Sequence, residues 1–326
     1  MANNTKINQS IDHLLSHCGS LSSHEKVVIV CDALTTEIGQ FFYDRAVGIT
    51  NYASLKTIPV AKNHGEEPPD DVALLMNNAD LVLGLTFMSM AHTNARMNLT
   101  NNGGRYLSLP EYSLELLQDP SVMVDYKAVE SDVRYIADAF TSSHKIRVTT
   151  EKGTDIYLDS SGRIGNCCPG FVSAAGDLGS PPDIEANISP LETKSNGIVI
   201  VDGSIPCPEI GLLDSPVILT VEEGKIVKFD SKDKEVISRL EKLFSDVNSD
   251  KAYILAECGV GLNREAKLTG SMLTDEGAWG CMHFGFGANS TVGGINSVPF
   301  HLDFVFQDAC LEIDGKTILK DGDIIR

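Results

Sequence analysis

The chain has 326 residues, 42% hydrophobic and 22% charged, which is the balance of an ordinary globular protein with length enough for two domains. Its 26 Lys and Arg stand against 45 Asp and Glu, a net charge of −19, and this argues against nucleic acid or an anionic membrane as partner, since both need basic patches. The first ten residues lack the basic-then-apolar order of a secretory signal, no apolar stretch approaches the roughly 18–20 residues of a membrane span, and the eight cysteines form no C-x-x-C pair; a cytoplasmic protein with reduced thiols is expected.

Residues 27–31 (Val-Val-Ile-Val-Cys) form a short apolar run that predicts a strand buried on both faces. Asp32, Thr35 and Thr36 then open a helix reaching about Ala46. A second strand is predicted at 54–60, a helix from Asp70 and Asp71 across Val72, Leu75 and Met76, and a third strand at 79–85. Residues 92–101 read as helix and 105–109 as a fourth strand, ended by Pro110. Strands separated by helices at this spacing imply an open parallel α/β sheet of Rossmann or flavodoxin type. No G-x-G-x-x-G and no G-x-x-x-x-G-K-[ST] follows any of these strands, so a nucleotide role lacks its usual phosphate loop.

Residues 126–141 predict an amphipathic helix, with Val129, Val133, Ile136 and Ala137 at helical spacing. The character then changes, and a domain boundary is expected near 142: an α/β domain over 1–142, and a β-rich α+β metal-binding domain over 143–326. Residues 145–149 and 155–159 alternate as half-exposed strands do. About forty residues rich in Gly, Pro and Ser follow, then strands at 197–202 and 217–221. Glu222-Glu223-Gly224-Lys225 makes a hairpin turn into 226–229, and a helix at 233–246 precedes a glycine-rich C-terminal third.

The chemistry concentrates in that last third. His301 and Asp303 stand two apart inside the apolar run 299–306, which reads as a strand, so both side chains share one face. A charged Asp in such surroundings needs a partner, and a metal cation satisfies imidazole and carboxylate together; a plain His–Asp hydrogen bond is the structural alternative. Glu257 ends an apolar run followed by Gly259 and Gly261, and His283 lies among aromatics and glycines. Glu185 falls in a proline-flanked segment expected to be a loop. His92 stands where a strand of the first domain gives way to a helix, the edge at which open α/β sheets bind ligands. Two histidines with two or three carboxylates form a donor set suited to zinc, manganese, cobalt or non-haem iron.

The run 256–263 (Ala-Glu-Cys-Gly-Val-Gly-Leu-Asn), the segment 266–270 through Asp275-Glu276, the run 283–287 (His-Phe-Gly-Phe-Gly) and His301-Leu302-Asp303 together resemble the aminopeptidase T / aminopeptidase S family of metallopeptidases. Pro181 to Pro190, with Glu185, is similar to an upstream segment of that family, and order and approximate spacing agree over about 150 residues. The resemblance implies a two-metal site that hydrolyses N-terminal peptide bonds, with Glu185, Glu257, His283, His301 and Asp303 as ligands and Glu185 also a catalytic candidate. It implies one or two Zn, Co or Mn ions per chain, a peptide or other small-molecule substrate, and a homodimer. One departure is that Ser290 stands where the family has Tyr.

The same superfamily contains 2,5-dihydroxypyridine 5,6-dioxygenase, which implies an alternative. There a single Fe(II) would be held by His301 and Asp303 with either His283 or Glu257, and His92 would handle a substrate proton. A third expectation is a non-catalytic small-molecule binding protein on the same scaffold. The hydrolase is the leading expectation, because Glu185 and Glu257 are retained beside both histidines.

Overall fold

Apolar strands alternating with helices open the chain, as the sequence predicts. In the computed structural model, which describes residues 2–326 with side chains from residue 5 onward, helix α1 (Ala2–His13) runs into a π-helical turn over Leu14–Cys18. There follow β1 (Val27–Asp32), α2 (Thr36–Ala46), β2 (Ala53–Ile58), α3 (Asp70–Asn77), β3 (Leu81–Leu85), α4 (Asn94–Asn101) and β4 (Arg105–Ser108). Helix α5 (Tyr126–Thr141) leads into β5 (Lys145–Thr149), β6 (Asp155–Asp159), β7 (Asn166–Cys168) and the two-residue β8 (Leu178–Gly179). Next come β9 (Glu185–Ile188), β10 (Asn196–Val201), β11 (Ser204–Ile205), β12 (Gly211–Leu212), β13 (Val217–Glu222), β14 (Lys225–Ser231) and α6 (Lys234–Asp246). The last segment holds β15 (Leu255–Gly261), α7 (Met272–Asp275), β16 (Cys281–Gly287), β17 (His301–Gln307), β18 (Cys310–Ile313), β19 (Lys316–Lys320) and β20 (Asp323–Ile324).

The chain divides into an N-terminal unit, up to Lys127 plus Gly170–Pro181, and a C-terminal unit of Ala128–Pro169 plus Pro182–Arg326. The division falls in the first turn of α5, between Lys127 and Ala128. Gly165 explains why α5 goes with the second unit. A Cβ there would lie 2.3 Å from the Ala137 carbonyl oxygen and 2.8 Å from Phe140 Cβ, so only glycine lets the chain after β6 lie directly on the helix. The return of residues 170–181 to the first unit is a strand addition: β8 pairs in parallel beside β4, Tyr106 opposite Leu178.

In the N-terminal unit all pairings are parallel, in the order β2-β1-β3-β4-β8. Every residue of β1 and β3 is buried, which fits their unbroken apolar runs. Val28, Val30, Val82 and Tyr106 meet Val72, Met76 and Leu99 of the helices in one core cluster. Asp32, at the carboxyl end of β1, accepts hydrogen bonds from the Leu34 and Thr35 N–H groups through Oδ1 and from the Phe87 N–H through Oδ2. It therefore ties the ends of β1 and β3 together.

The C-terminal unit contains two antiparallel sheets, ordered β14-β13-β10-β6-β5-β18-β19-β20 and β12-β11-β17-β16-β15-β9-β7. On β16 and β17 the period of two separates two functions. Phe284, Phe286, Phe304 and Phe306 are fully buried on one face, each ring contributing about 1.5–3 kcal/mol of apolar burial. Phe286 meets Phe304 edge-on at 5.5 Å, and Phe244 of α6 lies 4.8 Å from Phe300. His283, Gly285, His301 and Asp303 occupy the opposite face. All eight cysteines are free thiols, and among the described residues no helix is long and apolar enough to cross a membrane.

Candidate metal centre

Strand register alone gathers five of the residues singled out in the sequence. Gly261 of β15 stands opposite Glu185 of β9, Glu257 opposite Gly285, and Gly259 opposite His283. On the next strand Asp303 stands opposite Gly285 and His301 opposite Gly287. Glu185, Glu257, His283, His301 and Asp303 thus project from one face of four adjacent strands. Glu185 corrects the expectation of a loop. It begins β9 and is buried, because pairing with both β15 and β7 makes a strand of a segment whose composition reads as coil.

The glycines opposite the ligands are what let the rings lie flat on the sheet. A Cβ on Gly259 would sit 2.1 Å from His283 Cε1 and 2.2 Å from Nε2, and one on Gly285 would sit 2.5 Å from His301 Nε2. Each imidazole therefore occupies the space that a side chain on the neighbouring strand would fill.

The result is two triads that share Glu257. His283 Nε2 is 3.3 Å from Glu185 Oε2 and 4.0 Å from Glu257 Oε1. His301 Nε2 is 3.4 Å from Glu257 Oε2 and 3.2 Å from Asp303 Oδ1. Within each triad the donor atoms lie within 4.8 Å of one another, close enough for one ion to touch all three. His301 Nδ1 donates to the Ala288 carbonyl oxygen at 2.8 Å, which orients the ring so that Nε2 faces the carboxylates. The His283 side chain is 1% exposed and that of His301 31%, so the centre opens to solvent on the His301 side.

Two further acids were not singled out as ligands in the sequence. Asp183 and Glu276 are buried beside the cluster, and burial first, then the neighbouring carboxylates, pushes both carboxyls well above the usual range. Glu276 accordingly keeps its proton and donates it in a hydrogen bond to Asp303. A signal for Asp183 existed: it stands two residues before Glu185, the same spacing that marks His301 and Asp303. Burial likewise pushes Glu185 up to about 7. Burial acts in the same direction on Glu257, but the imidazoles of His283 and His301 outweigh it and hold that carboxyl low. Against the burial that opposes their charge, Glu257, Glu185 and Asp303 raise His283 to about 9, and Asp303 and Glu257 raise His301 well above its ordinary value.

Five buried or half-buried carboxyls and two imidazoles packed this closely form a donor set that a bound cation would hold together. Buried Glu185 Oε2, Asp183 Oδ1, Glu276 Oε1 and His283 Nδ1 find no hydrogen-bond partner among the described residues. Oxygen and imidazole donors in this arrangement fit a divalent first-row metal. His92 is not part of this set; it lies exposed in the N-terminal unit between β3 and α4, directly before the helix cap Thr93. Ser290 lies exposed in the loop after β16.

Fold and cluster together define a metal-dependent enzyme built from a parallel α/β unit and an antiparallel metal-binding unit. The family model of 2,5-dihydroxypyridine 5,6-dioxygenase matches residues 16–326, and the chain belongs to that family. The 2,5-dihydroxypyridine 5,6-dioxygenase of Pseudomonas putida KT2440 is 24% identical over 261 residues, covering 76% of this chain and 71% of the relative. The solved structure of 2,5-dihydroxypyridine dioxygenase from the same organism has the same fold, with a TM-score of 0.84 at 18% identity, covering 99% of this chain and 97% of that one. AmpT from Thermus thermophilus shares the fold at a TM-score of 0.71 and 13% identity, covering 99% of this chain and all of that one. The membership corrects the leading expectation from sequence: the chain falls with the dioxygenase, and the peptidase is a structural neighbour. The motifs 256–263 and 283–287 supply Glu257 and His283 to the candidate cluster, and such residues do not separate the two.

Proposed function

We propose that this protein is a mononuclear Fe(II) ring-cleaving dioxygenase acting on a dihydroxylated nitrogen heteroaromatic of the 2,5-dihydroxypyridine type. The observation that carries the reading is the family match across residues 16–326, joined to a buried cluster of two imidazoles and carboxylates that fits one such ion. His301 and Asp303, with Glu257 between them and His283 beyond, are the groups that would hold the iron. Bound Fe(II) supplies the one-electron chemistry that lets oxygen react with a closed-shell aromatic ring.

The remaining steps belong to the chain. Ala288 aims His301 through its Nδ1–H, and Glu276 shares its proton with Asp303, so neither ligand is free to swing away. The protein wall around His283 excludes water from the inner side, leaving the His301 side for substrate and oxygen. His92 is part of the proposal as the group handling a substrate proton.

Protein purified without chelator and loaded anaerobically with Fe(II) is expected to hold about one iron per chain and to consume oxygen when given 2,5-dihydroxypyridine. His301→Ala and Asp303→Ala should lose the iron while remaining folded, and His92→Ala should keep the iron and lose turnover. A second reading, a two-metal hydrolase, draws on the two triads meeting at Glu257. Two ions per chain, no oxygen uptake and release of amine from peptides would favour it and overturn the first.

A further inference from the structure

We infer that Asn187 is a positioning residue for the metal centre: with Asn166 it forms an amide relay that ties down one oxygen of Glu185 and leaves the other aimed at the ligand space. Glu185 and Asn187 are two apart on β9 and share a face. Asn187 Nδ2 donates to Glu185 Oε1 at 2.6 Å, and Asn187 is 3% exposed. The other carboxylate oxygen, Oε2, is buried, makes no hydrogen bond among the described residues and faces His283 Nε2 at 3.3 Å.

The direction of the relay is fixed by chemistry. The Val292 carbonyl can only accept, so Asn166 presents its nitrogen there, and Asn187 must turn its oxygen outward to that nitrogen and its own nitrogen inward to Glu185. That oxygen accepts from Asn166 Nδ2 at 2.7 Å, and the same nitrogen donates its second hydrogen to the Val292 carbonyl at 3.1 Å. Gly259 is opposite Asn187 on β15 and Asn166 opposite it on β7, so no other side chain on the neighbouring strands competes for the amide. The outer end of the relay lies in the loop after β16, which also supplies the Ala288 carbonyl to His301. One loop thereby orients ligands of both triads, Glu185 through two amides and His301 directly. Outer partners of this kind typically set metal affinity by about 10–100-fold.

The inference rests on the metal-centre reading and not on the reaction catalysed. It is tested by titrating the full-length protein with Co(II), reading the visible absorption bands and the apparent affinity. Asn187→Leu, which fills the space but cannot donate, should weaken cobalt binding by about 10–100-fold and shift the bands. Asn166→Ala should weaken it by a smaller factor, and should add nothing in an Asn187→Leu background. Binding within twofold of the unmodified protein with unchanged bands in Asn187→Leu overturns the inference, as does an undiminished Asn166→Ala effect in the double variant. If Asn187→Leu fails to fold, Asn166→Ala alone decides, and unchanged cobalt affinity overturns the relay. Failure of the unmodified protein to bind cobalt would overturn the metal centre itself, a separate result from intact binding with indifferent variants.

Discussion

Gly259→Ala concentrates the logic of the site in one methyl group. The added Cβ would meet His283 Cε1 at 2.1 Å, whereas ordinary contact begins near 3.4 Å, so the ring must move by more than 1 Å. His283 is fully enclosed and has no open side to move into. Overpacking of this kind costs about 1–3 kcal/mol, and a ligand displaced by 1 Å is expected to lower turnover by about 100-fold. Gly259 has no positive φ, so alanine fits the backbone itself. In an His283→Ala background the same substitution should then be neutral, or stabilising by about 0.4–1 kcal/mol through the lost freedom of the unfolded chain. Urea unfolding of the two single variants and the double variant measures this change of sign. An equal cost in both backgrounds would refute the reasoning, because the strain would then lie in the strand and not between methyl and ring.

Glu257 is the only residue common to both triads. Glu257→Gln should weaken metal retention by at least about 100-fold, beyond the range for outer partners, while Glu185→Gln should weaken it less; equilibrium dialysis ranks the two. Asp275 is fully buried and accepts from the Thr269 and Gly270 N–H groups and the Ser204 and Thr274 hydroxyls. Asp275→Ala strands those donors and should cost about 2–5 kcal/mol in urea unfolding. Burial raises the Glu192 carboxyl, but the Ile295 N–H, the Asn289 amide and the Arg163 guanidinium outweigh it and hold it below its ordinary 4.5. Its stabilisation is therefore present above that value and lost as pH falls through the folded-state pKa. Glu192→Gln should be the less stable protein at pH 7, and its deficit should shrink steadily on acidification below about pH 4.5.

Much of the fold is legible in the residues because local and tertiary preferences agree. The run Val27-Val28-Ile29-Val30-Cys31 can only be a doubly buried strand, and β1 is one. His301 and Asp303 share a face because alternation leaves no other choice once 299–306 is a strand. Helix α1 was missed although Ile7, Ile11, Leu14 and Cys18 carry helical spacing and are buried; the polar residues between them mask the stripe. Strand β9 exists through pairing with β15, and β7 through pairing with β9; no local pattern in a Gly- and Pro-rich stretch announces that β9 will meet a partner about seventy residues away. Glu276 shows the same limit in the site, since it joins the cluster only through burial beside Asp303, which the folded chain supplies. The choice between dioxygenase and peptidase was beyond the motifs for a chemical reason: both reactions use the same imidazole and carboxylate donors.

The most direct test of the proposed activity is turnover of 2,5-dihydroxypyridine by the iron-loaded protein under isotopically labelled oxygen, with mass spectrometry of the product. A ring-opened product carrying both atoms of the labelled molecule is the expected result. A product whose added oxygen comes from water, or no product from a protein shown to hold its iron, would contradict it.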